Sequence, residues 1–446
     1  MHWRRMLCSA VATGSLLLSG ASLQAETLQE AIDEVIKTHP EVRSGAYNRL
    51  GRDEEVKQAR AGYLPTLNFS AGYGIQELQE PEEDTLNPAV YTLSLRQNLF
   101  TGFATMDEVK RQKSRVRSSA YLLQAQTDML ALQTARAYLK VLQEQELLKL
   151  AEESLETHLK IADQIQMRTD AGVSSTADSD QVAGRVSLAR ANVVVARTNL
   201  ADAKTNYLAL VGRLPDHLQS PPPLIELLPQ SLEEAEEQAI KAHPTLKSAH
   251  ADLDARVSQY DVAKAPYYPI VDLEVDQHWE DELDDEGRND RLIAMLRLRF
   301  NLFNGLKDEA RRAETAHLIS EAREIRNGTH REVIESIRLS WMARQAILDR
   351  LDYVRQRVDS ASATAEAYTR QFNLGQRTLL DVLDTEAEVI DAKQDLVEAT
   401  YADYLTQYRI LNGLGRLVPA FGLEYPEESV VESQERDDQE SIARNG

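Results

Sequence analysis

"YTRQFNLGQRTLLDVLD", residues 368–384, sets Gly375 between two helical patterns, and the second pattern opens with Asp381 and Asp384 one turn apart among leucines. An earlier stretch, "MRTDAGVSSTADSD" from residue 167, has the same form, with Gly172 facing Gly375 and Asp178 facing Asp381. The correspondence extends along the chain at a spacing of about 204 residues, and a self-similarity of that period decides the architecture before any single element does. "TLQEAIDEVIKTHPEV" from residue 27 returns as "SLEEAEEQAIKAHPTL" from 231, "AGYLPTLNF" from 61 as "APYYPIVDL" from 265, and "LRQNLFTG" from 95 as "LRFNLFNG" from 298. Two halves, residues 26–213 and 231–422, share one plan and are joined by a proline-rich linker, residues 214–230.

Each half reads as a short helix, a second helix begun by proline, two strands and two long helices. Pro40 and Pro244 sit where a first helical turn tolerates proline, and the histidines before them, His39 and His243, have a helix-start position. Strands are expected at about 66–77, 90–100, 269–279 and 291–303, from alternation. Leu67, Phe69, Ala71, Tyr73 and Ile75 oppose Thr66, Asn68, Ser70, Gly72 and Gly74, and Val271, Leu273, Val275 and Trp279 oppose Asp272, Glu274, Asp276 and His278. These segments have the length of a tilted strand crossing a bilayer, with Tyr63, Tyr267, Tyr268 and Trp279 near the ends, where a membrane girdle of aromatic residues belongs. Four strands cannot close a barrel alone, so a transmembrane reading requires the chain to oligomerise.

Long helices are expected at about 103–170, 176–212, 306–373 and 377–413. At 1.5 Å per residue the longer ones span roughly 100 Å, which no globular core requires, so they pack side by side as coiled coil. Val182, Val186, Ala189, Val193, Ala196, Leu200, Ala203, Tyr207 and Leu210 follow the 4-3 spacing of such a seam. Leu383, Ala387, Ile390, Gln394, Val397, Tyr401, Tyr404, Tyr408 and Leu411 do the same.

The bulk properties narrow the class further. Residues 1–25 carry Arg4 and Arg5, a short apolar run and small residues up to Ala25, the pattern of a secretory signal peptide cleaved after Ala25 or Ala21. The only cysteine, Cys8, precedes the apolar run, so the exported chain has neither a disulfide nor a lipid-anchor cysteine there. The formal charge of -22 moves to about -24 when the two arginines leave, which repels nucleic acid. Nothing after residue 25 approaches the roughly 18 to 20 apolar residues of a spanning helix, so a membrane crossing must use strands.

Catalytic constellations are absent from the pattern. The histidines lack ligand spacing, no phosphate loop or activated serine follows residue 25, and no metal or other cofactor is implied. The acidic run "EDELDDEGRND", residues 280–290, resembles a calcium loop only as far as Gly287, because Ile293 stands where the closing acid belongs. With "QEPEED" near residue 82 it reads as solvated loop at an outer mouth. The last residues, 423–446, are acidic and aperiodic, the composition of a disordered tail. Asp381 and Asp384 have two readings by position alone: three apart they share a helix face, and just after Gly375 they suit the positive end of a helix dipole.

The whole plan, mainly α with a transmembrane β part, resembles the TolC-like outer-membrane factors, the outer membrane efflux protein family. The resemblance covers about residues 26–422. It rests on the duplicated order of elements, on "QNLFTG" and "FNLFNG" at the strand-to-helix junctions, and on "GQRTLLDVLDTEAEVIDAKQDL" running to "YRILNGLG". It implies a homotrimer in which three copies of four strands form a twelve-stranded barrel in outer-membrane lipid, continued through the periplasm by a tunnel of helices. It implies that Asp381 and Asp384 form the pore constriction, six carboxylates in one ring that attracts cations and hinders small anions. Arg377, in "GQRT", matches the family's gate-latch arginine, and Asp178 its acidic partner. Where the family often has a tyrosine this chain has Phe372, so its closed state would depend more on the arginine.

The tips, Gly172 with Val173 and Gly375 with Gln376, are where the family docks a periplasmic adaptor, a membrane fusion protein, that joins the duct to an inner-membrane transporter. The 371–393 stretch, and the absence of a lipidation cysteine, look more like ducts of type I protein secretion, served by an ABC exporter and carrying protein cargo. An outer-membrane component of a drug or metal efflux pump is the alternative. A soluble periplasmic coiled-coil scaffold is the reading from another class.

Overall fold

A computed structural model describes residues 26–78, 84–281 and 289–431. The signal-peptide expectation for residues 1–25 lies outside the described residues, as does most of the acidic loop of residues 280–290 and of the stretch near residue 82.

Each half begins with two helices whose caps are written in the sequence. In the first half, α1 (Leu28–Thr38) starts with Thr27 and Glu30 in a reciprocal capping box, and α2 (Pro40–Ala61) with Pro40 in its first turn behind His39. The His39 Nδ1 accepts the Glu41 N–H at 3.3 Å, and in the second half His243 Nδ1 accepts the Thr245 N–H at 3.3 Å. Both histidines are therefore helix caps.

Four long strands follow as one antiparallel sheet. β1 (Thr66–Tyr73) pairs with β4 (Ala89–Phe100), β4 with β5 (Ile270–Asp281) and β5 with β6 (Asn289–Arg299), while β2 (Gln76–Leu78) and β3 (Asp84–Leu86) make a separate small ribbon. The two halves thus meet in the sheet at the β4–β5 pairing. One face is apolar and open, with Leu67, Phe69, Leu292, Leu296 and Leu298 each about two-thirds exposed. The other buries Asp272 and Glu274 beneath three arginines: Glu274 accepts from Arg96 at 2.8 Å and Arg297 at 2.6 Å, and Arg299 pairs with Asp272. Such a two-sided sheet with unpaired edges at β1 and β6 leaves backbone groups that only neighbouring strands satisfy in lipid.

β6 ends at Arg299, four residues before the expected 303, so Phe300 and Leu302 lie beyond the strand. The Asn301 side chain accepts the Phe303 N–H at 3.1 Å and turns the chain toward the next helix.

The helices account for the length of the molecule. α3 (Ala104–Asp170) and α4 (Thr176–Val211) form one hairpin. In the second half α5 (Leu232–Ala242) and α6 (Pro244–Lys264) precede the sheet, and α7 (Lys307–Asn373) and α8 (Leu379–Gly413) form the other hairpin. Along α4 the expected seam is largely the buried face, with Val182, Val186, Ala189, Val193, Ala203 and Tyr207 buried and Ala196, Leu200 and Leu210 half-buried. Along α8 the outcome is divided: Leu383, Tyr401, Tyr408 and Leu411 are buried, but Ala387, Ile390, Gln394 and Val397 between them are only half-buried, while Val389 and Ala392 pack on Ala361 and Ala365 of α7. Among the described residues no helix is long and apolar enough to cross a membrane.

The main core lies midway, where α1, α3, α4, α5 and α8 converge on Tyr138, Tyr207 and Tyr408, each fully buried. The Tyr138 hydroxyl lies 2.7 Å from the carbonyl oxygens of both Glu26 and Gln219, which ties the start of the described chain to the linker. After α9 (Leu417–Ala420) the disordered-tail expectation fails for residues 423–431. Tyr425 donates to Asp128 at 2.9 Å, Gln124 donates to the Ser429 carbonyl at 2.8 Å, and Ser429 is fully buried. Residues 432–446 lie outside the described residues. Asp128 also accepts the Val418 N–H at 3.0 Å, and burial pushes its carboxyl up to about 7.

Candidate functional site at the hairpin tips

Both hairpins turn in the same way. The glycine takes the left-handed conformation, φ +73 at Gly172 and +75 at Gly375, and the residue after it donates back into the last helical turn. Val173 N–H reaches the Arg168 carbonyl at 2.8 Å, and Gln376 N–H the Gln371 carbonyl at 2.9 Å. The next helix then starts with a capping box: Ser175 with Asp178 on α4, Thr378 with Asp381 on α8. Val173 is 68% exposed, so the first tip ends in an apolar residue open to contact.

The carboxylates therefore divide by duty. Asp178 accepts the Ser175 N–H at 3.0 Å, and Asp381 accepts the Thr378 N–H at 3.1 Å and its hydroxyl at 2.8 Å. These bonds hold the Asp381 carboxyl below its ordinary range, the Thr378 hydroxyl first, its N–H second, with Arg377 adding to them. Asp384 caps nothing. It is 57% exposed and accepts from Arg185 Nη2 of α4 at 2.8 Å, a bond between the two halves.

Arg377 and Asp178 are not partnered within one chain. Arg377 donates from Nε to Gln371 at 3.0 Å, stacks over the Tyr368 ring at 4.0 Å and comes within 4.0 Å of Asp381. Phe372 instead receives the Arg168 guanidinium over its ring at 4.8 Å. The aromatic partner of Arg377 is thus Tyr368, one helical turn before Phe372.

Beneath these polar contacts the two tips share an apolar cluster. Ile165 of α3, Val182 and Val186 of α4, and Leu379 and Leu383 of α8 are buried together, with Phe372 packed against them. Sequence reasoning found the aspartates, the arginine and the glycines here but missed Arg185, Arg168 and Tyr368. Their signal is one of position: Arg185 lies between the seam residues Val182 and Val186, which fixes its side of the helix.

At the sheet, Tyr63, Tyr267 and Tyr268 lie half-exposed at the helix side, and Trp279 pairs with Tyr91 toward the opposite end. Among the described residues no group of His, Cys, Asp or Glu side chains is arranged to hold a metal ion.

A sheet with an open apolar face, helices of this length and paired tips define a channel-forming outer-membrane protein, and the sequence agrees. The chain belongs to the outer membrane efflux protein family, which it matches over residues 31–213 and 236–416. It is 24% identical over 416 residues to the outer membrane efflux protein BepC of Brucella suis, covering 93% of this chain and 91% of that one. It is 23% identical over 407 residues to the proteases secretion protein PrtF of Dickeya chrysanthemi, covering 86% and 87%. Among solved structures, the outer membrane protein VceC from Vibrio cholerae superposes with a TM-score of 0.76 at 20% identity, over 87% of this chain and 96% of that one. The protein is an outer-membrane channel with a periplasmic helical part, not an enzyme. The soluble-scaffold reading falls with that membership.

Proposed function

We propose that the chain is the exit duct of a type I protein secretion machine: a homotrimer that passively conducts exported protein and is shut at its periplasmic tips. The observation that carries the gate is the buried cluster of Ile165, Val182, Val186, Leu379 and Leu383, which holds the two hairpins of one chain together beside exposed carboxylates. In the trimer Asp381 and Asp384 line the constriction, and Tyr63, Tyr267, Tyr268 and Trp279 sit at the lipid boundary. Arg377 and Asp178 latch neighbouring copies to each other, since within one chain each side chain is held by local partners. A periplasmic adaptor docks at Gly172 with Val173 and Gly375 with Gln376, and joins the duct to an inner-membrane ABC exporter. Docking biases a closed and open equilibrium of the helix pairs, because the latch bonds exist only in the closed arrangement.

Single-channel recording in planar bilayers tests the gate: Arg377→Ser or Asp381→Ala raises conductance, and unchanged conductance in both variants defeats the assignment. The name of the protease-secretion relative supports the cargo class. The efflux relative keeps a drug or metal pump as the second reading. Deleting the gene distinguishes them: loss of secreted proteins supports secretion, whereas sensitivity to drugs or metals with intact secretion supports efflux.

A further inference from the structure

We infer that Arg185 is a selectivity-determining residue of the constriction, the counter-charge that neutralises Asp384. The inference deepens the gate reading and rests on it. Three observations converge. The Arg185 Nη2 lies 2.8 Å from the Asp384 carboxylate, the contact that ties α4 of the first half to α8 of the second by charge at the tips. The register is imposed from below: Val182 and Val186 flank Arg185, Leu383 adjoins Asp384, and all three apolar residues are buried in the cluster the tips share. The apolar packing thus fixes which charged side chains meet.

The third observation comes from the duplication. With Gly172 aligned to Gly375, Gln181 stands where α8 has Asp384, and Glu388 stands where α4 has Arg185. From a common plan, one copy has acquired the acid and the other the base. The acid and the base thus each occur in one copy only, at the two positions that packing brings into contact. The consequence is electrostatic. Each chain brings two constriction carboxylates, one tied to its helix cap and one matched by a guanidinium. The ring therefore presents about half the negative charge that its aspartates alone supply, and a guanidinium in a narrow pore weakens the preference for cations. Since an exposed ion pair adds little to stability, Arg185 sets the charge of the pore more than the stability of the tip.

The test measures reversal potentials of the full-length trimer in planar bilayers under a potassium chloride gradient. Arg185→Gln raises the potassium-to-chloride permeability ratio by about two- to threefold, Arg185→Lys leaves it near the wild-type value, and Arg185→Gln combined with Asp384→Asn brings it back toward wild type. If Asp384→Asn shifts the ratio and Arg185→Gln does not, the pairing is overturned while the constriction stands. If neither shifts it, the inference falls together with the constriction assignment. Recovery of each variant as a trimer in detergent, with wild-type melting, shows that the assembly is intact.

Discussion

The two hairpin tips descend from one duplication, and their backbones have stayed the same while their side chains have not. Gly172 and Gly375 share a conformation, a back-donated hydrogen bond and a following capping box. Outside that frame the copies part. Ser174 stands where the second tip has Arg377, Ile165 where it has Tyr368, and Gln181 where it has Asp384. Both tips give apolar residues to the shared cluster, while the first adds Arg185 and the second adds Arg377, its aromatic platform Tyr368 and the carboxylate of Asp384 that Arg185 meets. What the backbone requires is kept in both copies, because a helical hairpin cannot turn or start without it. Charges that only a neighbouring element reads were free to differ. By that criterion the conserved plan of Asp178 and Asp381 is accounted for by capping, and Asp384 is the acid with no structural duty at its own helix.

The largest expected effect tests whether the tips act as one unit. Leu383 is fully buried between them, and Leu383→Ala is expected to cost about 2–5 kcal/mol locally. Hydrogen exchange then accelerates in residues 165–186 as well as at the start of α8; acceleration confined to α8 breaks the coupling. Next come the turn glycines. A Cβ at either Gly172 or Gly375 meets nothing within 4 Å, so Gly→Ala at each costs only the left-handed backbone penalty, about 1–2 kcal/mol. Equal penalties, read from exchange protection of the flanking turns, support the equivalence of the two tips; a large difference ends it.

The caps are smaller contributors. Ser175→Ala and Thr378→Ala are each expected to remove about 1 kcal/mol from the first turn they cap, and the comparison sharpens if the two losses match. The smallest effect is one of pH. Because Asp381 is held below its ordinary value of 3.8, its capping contribution is complete above that pH and is lost as pH falls through the lower folded value. Exchange protection at the start of α8 declines in that acid window, and Thr378→Ala flattens the decline; a decline that persists in the variant assigns it to another group.

Much of this was legible because it is local. Capping boxes, proline starts, left-handed glycines and strand alternation each depend on residues within a turn or two, and the long helices fall within a residue or two of their expected ends. The α4 seam was legible too, since one small-residue stripe has one partner. The α8 seam was only half legible. Its 4-3 spacing describes a period and not a neighbour, and α8 buries Val389 and Ala392 against its own chain while Ile390 and Val397 remain half-open. The 423–431 segment misled for the opposite reason. It is acidic and aperiodic, yet Asp128, far away in sequence, supplies the acceptor that holds Tyr425.

The sequence by itself determined the duplication, the two-sided sheet, the length of the helices, the positions of both tips and the family. All of these follow from periodicity and short-range stereochemistry. Only the tertiary structure decided which charges meet. Arg185 and Asp384 are 199 residues apart, Arg168 and Phe372 belong to different halves, and Arg377 stacks on Tyr368, a contact the sequence did not announce. The reason is physical: an ion pair or a ring contact acts over a few ångströms, and no pattern along the chain encodes which helix faces packing will bring within that distance.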